Sequence, residues 1–460
     1  MLTYELKKQP GLPLYEALYR CIREDILSGR LGAGEKLPSK RALAENLKIS
    51  KITVEGAYDQ LLAEGYIRSR ERQGYFVEAV ERLSTSAPQS QPPEAAKEQL
   101  IDLTSNAPAK FPFSVWSKLQ REVMQELGEQ LLLALPNRGL WQLRQAIARH
   151  LAQFRGMQIS PEHILIGAGT DFLYNLLIQL LGRDKIYACE EPGYGKIRQI
   201  YAVGGVECIS APLDEQGVIP EALGSAQVLH ISPAHHYPTG IITPMPRRQA
   251  LLAWAGADKW IIEDDYDSEF RFNAHPMPTM QSLDRQGRVI YMNTFSKTLA
   301  PSIRISYMVL PEALMREFQK RLGFYSCTVP SFAQYTLARF LDGGYFEKHL
   351  NRMRKFYKAR RNRVLSIIEN SVLRGKLTIL EENAGLHFLV KVDTTLTDSQ
   401  LVASCKNAGI KIRALSDYSH RRDGVQNSRC LVVNYSGLTE NQLAKLEEIL
   451  NSCHFSSNQL

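Results

Sequence analysis

Cysteine is scarce: seven residues in 460, odd in number and scattered at positions 21, 189, 208, 327, 405, 430 and 453, with no Cys-x-x-Cys pair. That excludes a disulfide framework and a cysteine-built zinc or dithiol centre, and fits a reducing cytoplasm. Long apolar runs are missing too. The stretch from Phe172 to Leu181 is short and broken by Asn175 and Gln179, and the start Met1-Leu2-Thr3-Tyr4-Glu5 lacks the basic-then-apolar pattern of an export signal. A cytoplasmic protein with no membrane partner is expected. The absence of any repeat of roughly 20 to 50 residues excludes a solenoid. There is no Gly-x-Ser-x-Gly elbow and no phosphate loop ending in Gly-Lys-Ser/Thr. His235-His236 lacks metal-ligand spacing, so no metal site is expected.

What is present is enough to build large cores. With 44% hydrophobic and 23% charged residues, 460 positions exceed one ordinary compact domain, so two or three folded units are expected. The net charge of +8 suits a polyanionic partner, yet residues 1–79 carry 13 Lys+Arg against 11 Asp+Glu, so bulk charge does not single out the head. Glu81 to Gln99 has few large apolar groups and contains Pro88, Pro92 and Pro93, which makes 80–100 a linker between units at 1–79 and 101–460.

In the first unit, Leu14, Leu18, Ile22 and Ile26 recur at helical spacing, and glycines between Gly29 and Gly34 stop that helix. Ser39 and Ser50 are positioned as N-caps of two further helices. In the third helix Ile52, Ala57 and Leu61 are expected inside, with Lys51, Thr53 and Tyr58 outside. Gly65-Tyr66-Ile67-Arg68 and Gly74-Tyr75-Phe76-Val77 suggest a hairpin, which completes a winged helix-turn-helix. Such a head reads double-stranded DNA by placing short polar and cationic groups in the major groove, and Lys51, Thr53 and Tyr58 are the candidate contacts.

The second unit alternates short β-rich runs with helical segments, at 185–188, 228–232, 260–264, 289–293 and 306–310, the pattern of a mostly parallel α/β sheet. Residues beyond about 380 read as a smaller α+β lobe. Lys297, in Thr294-Phe295-Ser296-Lys297, offers an amine that can hold an aldehyde. Asp264, at the end of an acidic strand, can pair with a pyridine nitrogen, and Tyr266 can reach a ring oxygen. Gly167-Ala168-Gly169-Thr170-Asp171 precedes an apolar helix expected from about Phe172. Its N–H groups, with Thr294, Ser296 and Arg304, can cradle a phosphate dianion. Together these specify a pyridoxal 5'-phosphate site.

Leu37-Pro38-Ser39-Lys40-Arg41-Ala42-Leu43-Ala44, Ser50-Lys51-Ile52-Thr53-Val54 and Gly65-Tyr66-Ile67 resemble the winged-helix head of GntR-type regulators, which implies Ser39, Arg41 and Gly74 as DNA-binding positions beside Lys51 and Thr53. Glu191-Pro192-Gly193-Tyr194, Pro238-Thr239-Gly240, Glu263-Asp264-Asp265-Tyr266-Asp267-Ser268-Glu269-Phe270 and Thr294-Phe295-Ser296-Lys297 look like fold-type I aminotransferases. Joined in one chain they resemble the MocR/GabR subfamily. The resemblance implies Lys297 as the internal aldimine lysine, Asp264 on the pyridine nitrogen, Tyr266 on the ring oxygen and Tyr194 stacked on the ring. It also implies a domain-swapped, head-to-tail homodimer. Three positions depart from the aminotransferase pattern: Tyr237 replaces the asparagine before Pro-Thr-Gly, Ala134 the tyrosine that reaches the partner's phosphate, and Val432 the substrate-carboxylate arginine.

A carboxylate-bearing effector needs a cation, and Arg413, Lys196 and Arg429 are the candidates. The segment Lys348 to Arg363, with eight Lys+Arg and no acid, is either a solvated helix face or an auxiliary DNA surface. The expected function is a DNA-binding regulator that senses an amine, an amino acid or the cofactor itself by aldimine exchange at Lys297. Two alternatives stand beside it: a working aminotransferase, and a cofactor-free dimeric regulator.

Overall fold

The computed structural model describes residues 2–4, 6, 13–80, 100–105, 110–272, 277–420 and 428–452. The linker expected at 80–100 lies, apart from its two end residues, outside them. The chain divides into two compact units, Met1–Ala96 and Lys97–Leu460.

The first unit has three helices, α1 (Leu14–Ser28), α2 (Lys40–Leu47) and α3 (Lys51–Ala63), followed by strands β1 (Ile67–Arg70) and β2 (Gly74–Val77). The starts of α2 and α3 are set by hydroxyl caps: Ser39 Oγ accepts from the Ala42 amide and Ser50 Oγ from the Thr53 amide, both at 3.1 Å. The hairpin pairs Ile67 with Val77 and Arg70 with Gly74, whose φ of 107° is open to glycine. One core holds the unit together, formed by Leu18 and Ile22 of α1, Leu43 of α2 and Val54, Ala57, Tyr58 and Leu61 of α3.

The large unit is organised on an eight-stranded sheet in the order 164–167, 306–309, 289–294, 260–264, 228–231, 187–191, 208–214, 217–218. The strands from 289–294 across to 208–214 run parallel, and Ser306–Val309 is antiparallel to both of its neighbours. The strand expected at 185–188 is shifted to Tyr187–Glu191. Buried aliphatic clusters cover both faces of the sheet, so the parallel strands are apolar nearly throughout. Polar groups therefore collect at the strand ends. The smaller lobe carries the antiparallel strands 377–380, 387–392, 430–434 and 413–414, in that order, against the long helix Tyr345–Glu369 and the helix Glu440–Asn451.

Candidate functional site

On the head, the helical period decides which side of α3 is free. Val54, Ala57, Tyr58 and Leu61 sit at i, i+3, i+4 and i+7 and are buried. Tyr58 is thus not available to DNA, contrary to the sequence expectation. Its ring lies in the core and its hydroxyl donates to the Pro38 carbonyl at 2.9 Å, which satisfies the one polar atom of an otherwise apolar side chain. Ile52, expected inside, falls on the opposite side and is 79% exposed. Arg41, Lys48 and Lys51 border a shallow surface depression beside it. Their only ion pairs among the described residues are loose surface contacts, Arg41 with Glu45 at 3.0 Å and Lys51 with Glu55 at 4.0 Å. Thr53 is half-buried and shares a hydrogen bond with the Ser50 hydroxyl. Ser39 uses its hydroxyl as a cap.

In the large unit, Lys297, Asp264, Tyr266, Tyr194, Thr170, Asp171, Thr294, Ser296 and Arg304 converge on one cavity of about 1120 Å³ at the strand ends. Lys297 comes from the short helix Phe295–Thr298, which starts where Thr294 Oγ1 caps the Ser296 amide at 3.1 Å. Burial pushes the lysine pKa below its ordinary value, and Asp267 and Asp264 only partly oppose this. A larger fraction of neutral, nucleophilic amine results.

Asp264 ends the strand Trp260–Asp264 and is 5% exposed. Its Oδ2 accepts a hydrogen bond from the Tyr174 hydroxyl, and His230 Nε2 lies 3.5 Å from the same oxygen. Its Oδ1 is buried with no hydrogen-bond partner among the described residues. A buried, half-satisfied carboxylate is costly unless something else donates to it.

The phosphate-cradle motif folds two residues earlier than expected: the helix is Thr170–Leu181, with Gly169 at φ 89° as its N-cap. Arg304, itself at φ 49°, lies across that turn, and a Cβ on Gly169 would sit 2.3 Å from Arg304 Nη2. Glycine is therefore required both for the backbone conformation and for the arginine's approach. Asp171 contacts Arg304 at 3.4 Å and Lys196 at 2.6 Å. The Thr294 hydroxyl is engaged by Ser306 Oγ at 2.8 Å in addition to its capping contact.

Of the effector candidates, Lys196 and Arg413 reach the cavity and Arg429 does not. Arg429 precedes the strand Cys430–Asn434, five residues from Asn434, the register partner of the cavity residue His387. That is about 16 Å along an extended strand. The Arg429 amide is bound instead to Asp398 at 2.8 Å. Arg413 is the direct strand partner of Val432, so a guanidinium stands beside the position where the aminotransferase arginine is missing. Tyr237, in the place of the asparagine, lines the same cavity and its hydroxyl donates to that of Tyr418 at 2.9 Å.

Several residues at the site are not among the sequence-predicted contacts. Tyr174 is one helical turn past Thr170 and so faces the same cavity. His235, Asp267 and His387, from three separate segments, are buried with ligand-capable atoms within 4.8 Å of one another. Hydrogen bonds already engage them: His235 with Asp267 at 3.0 Å, and His387 Nε2 with the Pro238 carbonyl at 3.2 Å. The basic helix is largely committed to its own unit. Arg354 and Arg361 donate to the backbone carbonyls of Glu269 and Glu382, while Arg360 and Arg363 pair with Glu440 and Glu447. Among the described residues, no helix is long and apolar enough to cross a membrane.

A family model described as "Bacterial regulatory proteins, gntR family" matches residues 14–77. The chain is 36% identical over 453 residues to the HTH-type transcriptional regulator YdeL of Bacillus subtilis, covering 96% of this chain and 97% of that one. It is 34% identical over 436 residues to the probable rhizopine catabolism regulatory protein MocR of Rhizobium meliloti, covering 89% and 88%. The large unit superposes on Pyrococcus horikoshii kynurenine aminotransferase with a TM-score of 0.68 and 26% identity, over 78% of this chain and 91% of that chain. By these matches, which span both units, the protein belongs to the MocR-type transcriptional regulators of the GntR family, with a winged helix-turn-helix head and a fold-type I aminotransferase-like domain.

Proposed function

We propose that the protein is a pyridoxal 5'-phosphate-dependent sensor that binds operator DNA as a homodimer and responds to an amine, an amino acid or the cofactor itself. One observation carries the cofactor reading: the buried, partnerless Oδ1 of Asp264 shares a cavity wall with the Lys297 amine. A pyridinium N–H would satisfy that oxygen, and the group would supply an aldehyde for the lysine. Arg304 and the first turn of the helix Thr170–Leu181 would hold the phosphate, with Lys196 free to exchange Asp171 for it. Tyr266 would donate to the ring oxygen, and the exposed ring of Tyr194 would cover the ring face. The neutral amine of Lys297 can be displaced by an incoming amine, and Arg413 is placed to hold a carboxylate on that amine. Exchange that favours one arrangement of the unit would change operator affinity by linkage.

On the head, Lys51, Arg41 and Lys48 are suited to phosphates, Thr53 to a base edge or phosphate, and Ile52 to a thymine methyl. The relative named MocR and the regulators named PdxR and TauR support a regulatory role. The aminotransferase reading has one observation in its favour, a 27% identity over 282 residues to an aromatic-amino-acid aminotransferase of Thermococcus litoralis. Val432, where that chemistry places an arginine, weighs against it. The deciding experiment is an absorbance titration of cofactor-loaded protein with a panel of amines and amino acids. Spectral change without keto-acid release supports sensing, steady keto-acid release supports the enzyme, and a colourless protein at saturating cofactor overturns both.

A further inference from the structure

We propose that His235 and Asp267 act as positioning residues which fix the direction of the Tyr266 hydroxyl, so that Tyr266 is a hydrogen-bond donor into the cavity and cannot turn its proton inward. The proposal rests on the cofactor reading for its use, but the geometry stands without it. His235 Nδ1 lies 3.1 and 3.0 Å from the two Asp267 carboxylate oxygens and 3.2 Å from the Tyr266 hydroxyl. An ionised carboxylate only accepts, so Nδ1 must carry the proton. That N–H faces two oxygens at once, and the Tyr266 oxygen is placed to accept from it. The hydroxyl's own hydrogen then has to point elsewhere, toward the cavity that Tyr266 lines.

The ring is held in this orientation from its other sides. His235 and Asp267 are 2% exposed. A Cβ on Gly385 would sit 1.8 Å from His235 Cε1, so only glycine leaves room for the imidazole. The His387 ring packs 4.7 Å away and is itself anchored on the Pro238 carbonyl. Among the described residues His235 Nε2 is buried without a partner, so an N–H on that nitrogen would be stranded, which favours the Nδ1–H tautomer. Burial among Asp267, Tyr237, Asp264 and Glu190, the groups that face it, raises the Tyr266 phenol well above its ordinary value. The hydroxyl therefore keeps the proton it is asked to donate. The Tyr237 hydroxyl, on the same cavity, is directed to Tyr418 and so does not share this arrangement.

The test has two arms. In the full-length, cofactor-free protein with ¹⁵N-labelled histidine, the signals of His235 are assigned by their loss in His235→Gln. The Nδ1–H tautomer is expected, and an Nε2–H tautomer overturns the proposal. In protein loaded with pyridoxal 5'-phosphate, the midpoint of the pH-dependent visible absorbance is followed. A donor on the ring oxygen withdraws electron density from the neighbouring cofactor–lysine nitrogen. Tyr266→Phe therefore raises the midpoint by about one pH unit, the equivalent of one hydrogen bond. His235→Phe raises it in the same direction by less. It adds nothing to the shift once Tyr266 is Phe, because it acts through that hydroxyl. An undiminished effect in the Tyr266→Phe background overturns the proposal, and His235→Leu decides the arm if His235→Phe does not fold. Failure to load the cofactor would sink the function proposed above while leaving the tautomer result to decide this one.

Discussion

The head and the large unit keep their functional groups in opposite environments. Arg41, Lys48 and Lys51 are exposed, loosely paired and replaceable without disturbing the core beneath them. Asp264, Asp267 and Tyr266 line a buried cavity, where Tyr174 holds Asp264 and His235, behind the wall, ties Asp267 to Tyr266. A surface that meets a polyanion needs charge in roughly the right place. A cavity that meets one small molecule needs each atom directed. Mutations should therefore act in small, separable steps on the head and in large, coupled ones in the cavity.

The largest expected effect is in the cavity. Lys297→Ala abolishes the visible absorbance of cofactor-loaded protein completely, and a residual band at full intensity would mean that the chromophore is attached elsewhere. Leu61→Ala, at a fully buried head position, costs about 2 to 5 kcal/mol. In a thermal melt it unfolds the head early while the large unit's transition stays in place. A common shift of both transitions would break the separation of the units. Asp264→Asn weakens cofactor affinity by roughly 10- to 100-fold, the loss of a charge-assisted hydrogen bond, read by equilibrium titration.

Acid stability sharpens the contrast, because residues 1–79 contain no histidine. Burial holds His236 down at about 3. Its contribution to stability is complete above about 6.5, the unfolded value, and is lost as pH falls from there toward 3. Glu263 and Glu269, raised by burial to about 7, act with the opposite sign and weaken the fold as pH climbs from about 4.5 to 7. The large unit should melt with a pH optimum that His236→Gln broadens on the acid side, while the head's melt stays flat between pH 5.5 and 8. The smallest effect belongs to the head surface: Lys51→Ala lowers operator affinity with a salt slope reduced by about one, measured by titration at several salt concentrations.

The same contrast explains what could be read in advance. Local signals were sufficient for the head: Ser39 and Ser50 announce helix starts through their hydroxyls, and the glycines mark the turns. On α3 the polarity of Tyr58 favours the outside, but its spacing from Val54, Ala57 and Leu61 places it inside. In the large unit, the convergence of Lys297, Asp264 and Arg304 on one cavity is legible because each sits in a motif near a strand end. That of Tyr174, His235 and His387 is not, since a helix, a loop and a strand distant in sequence bring them together. Arg429 failed as an effector candidate because its charge is visible in the sequence, while its position five residues down a strand is not.

The cavity mouth adds a kinetic consequence. Beyond the Tyr237–Tyr418 bond, the Gly193 amide donates to the Tyr418 carbonyl at 3.0 Å and Ser419 Oγ donates to Glu191 at 2.7 Å. The loop after the strand Tyr187–Glu191 is thus laced to residues 418–419 of the smaller lobe. A molecule whose path crossed that seam would wait for several of these links to open together, so its residence time inside would be long even where equilibrium affinity is modest. A regulator built this way would register how long an effector stays as well as how much of it is present.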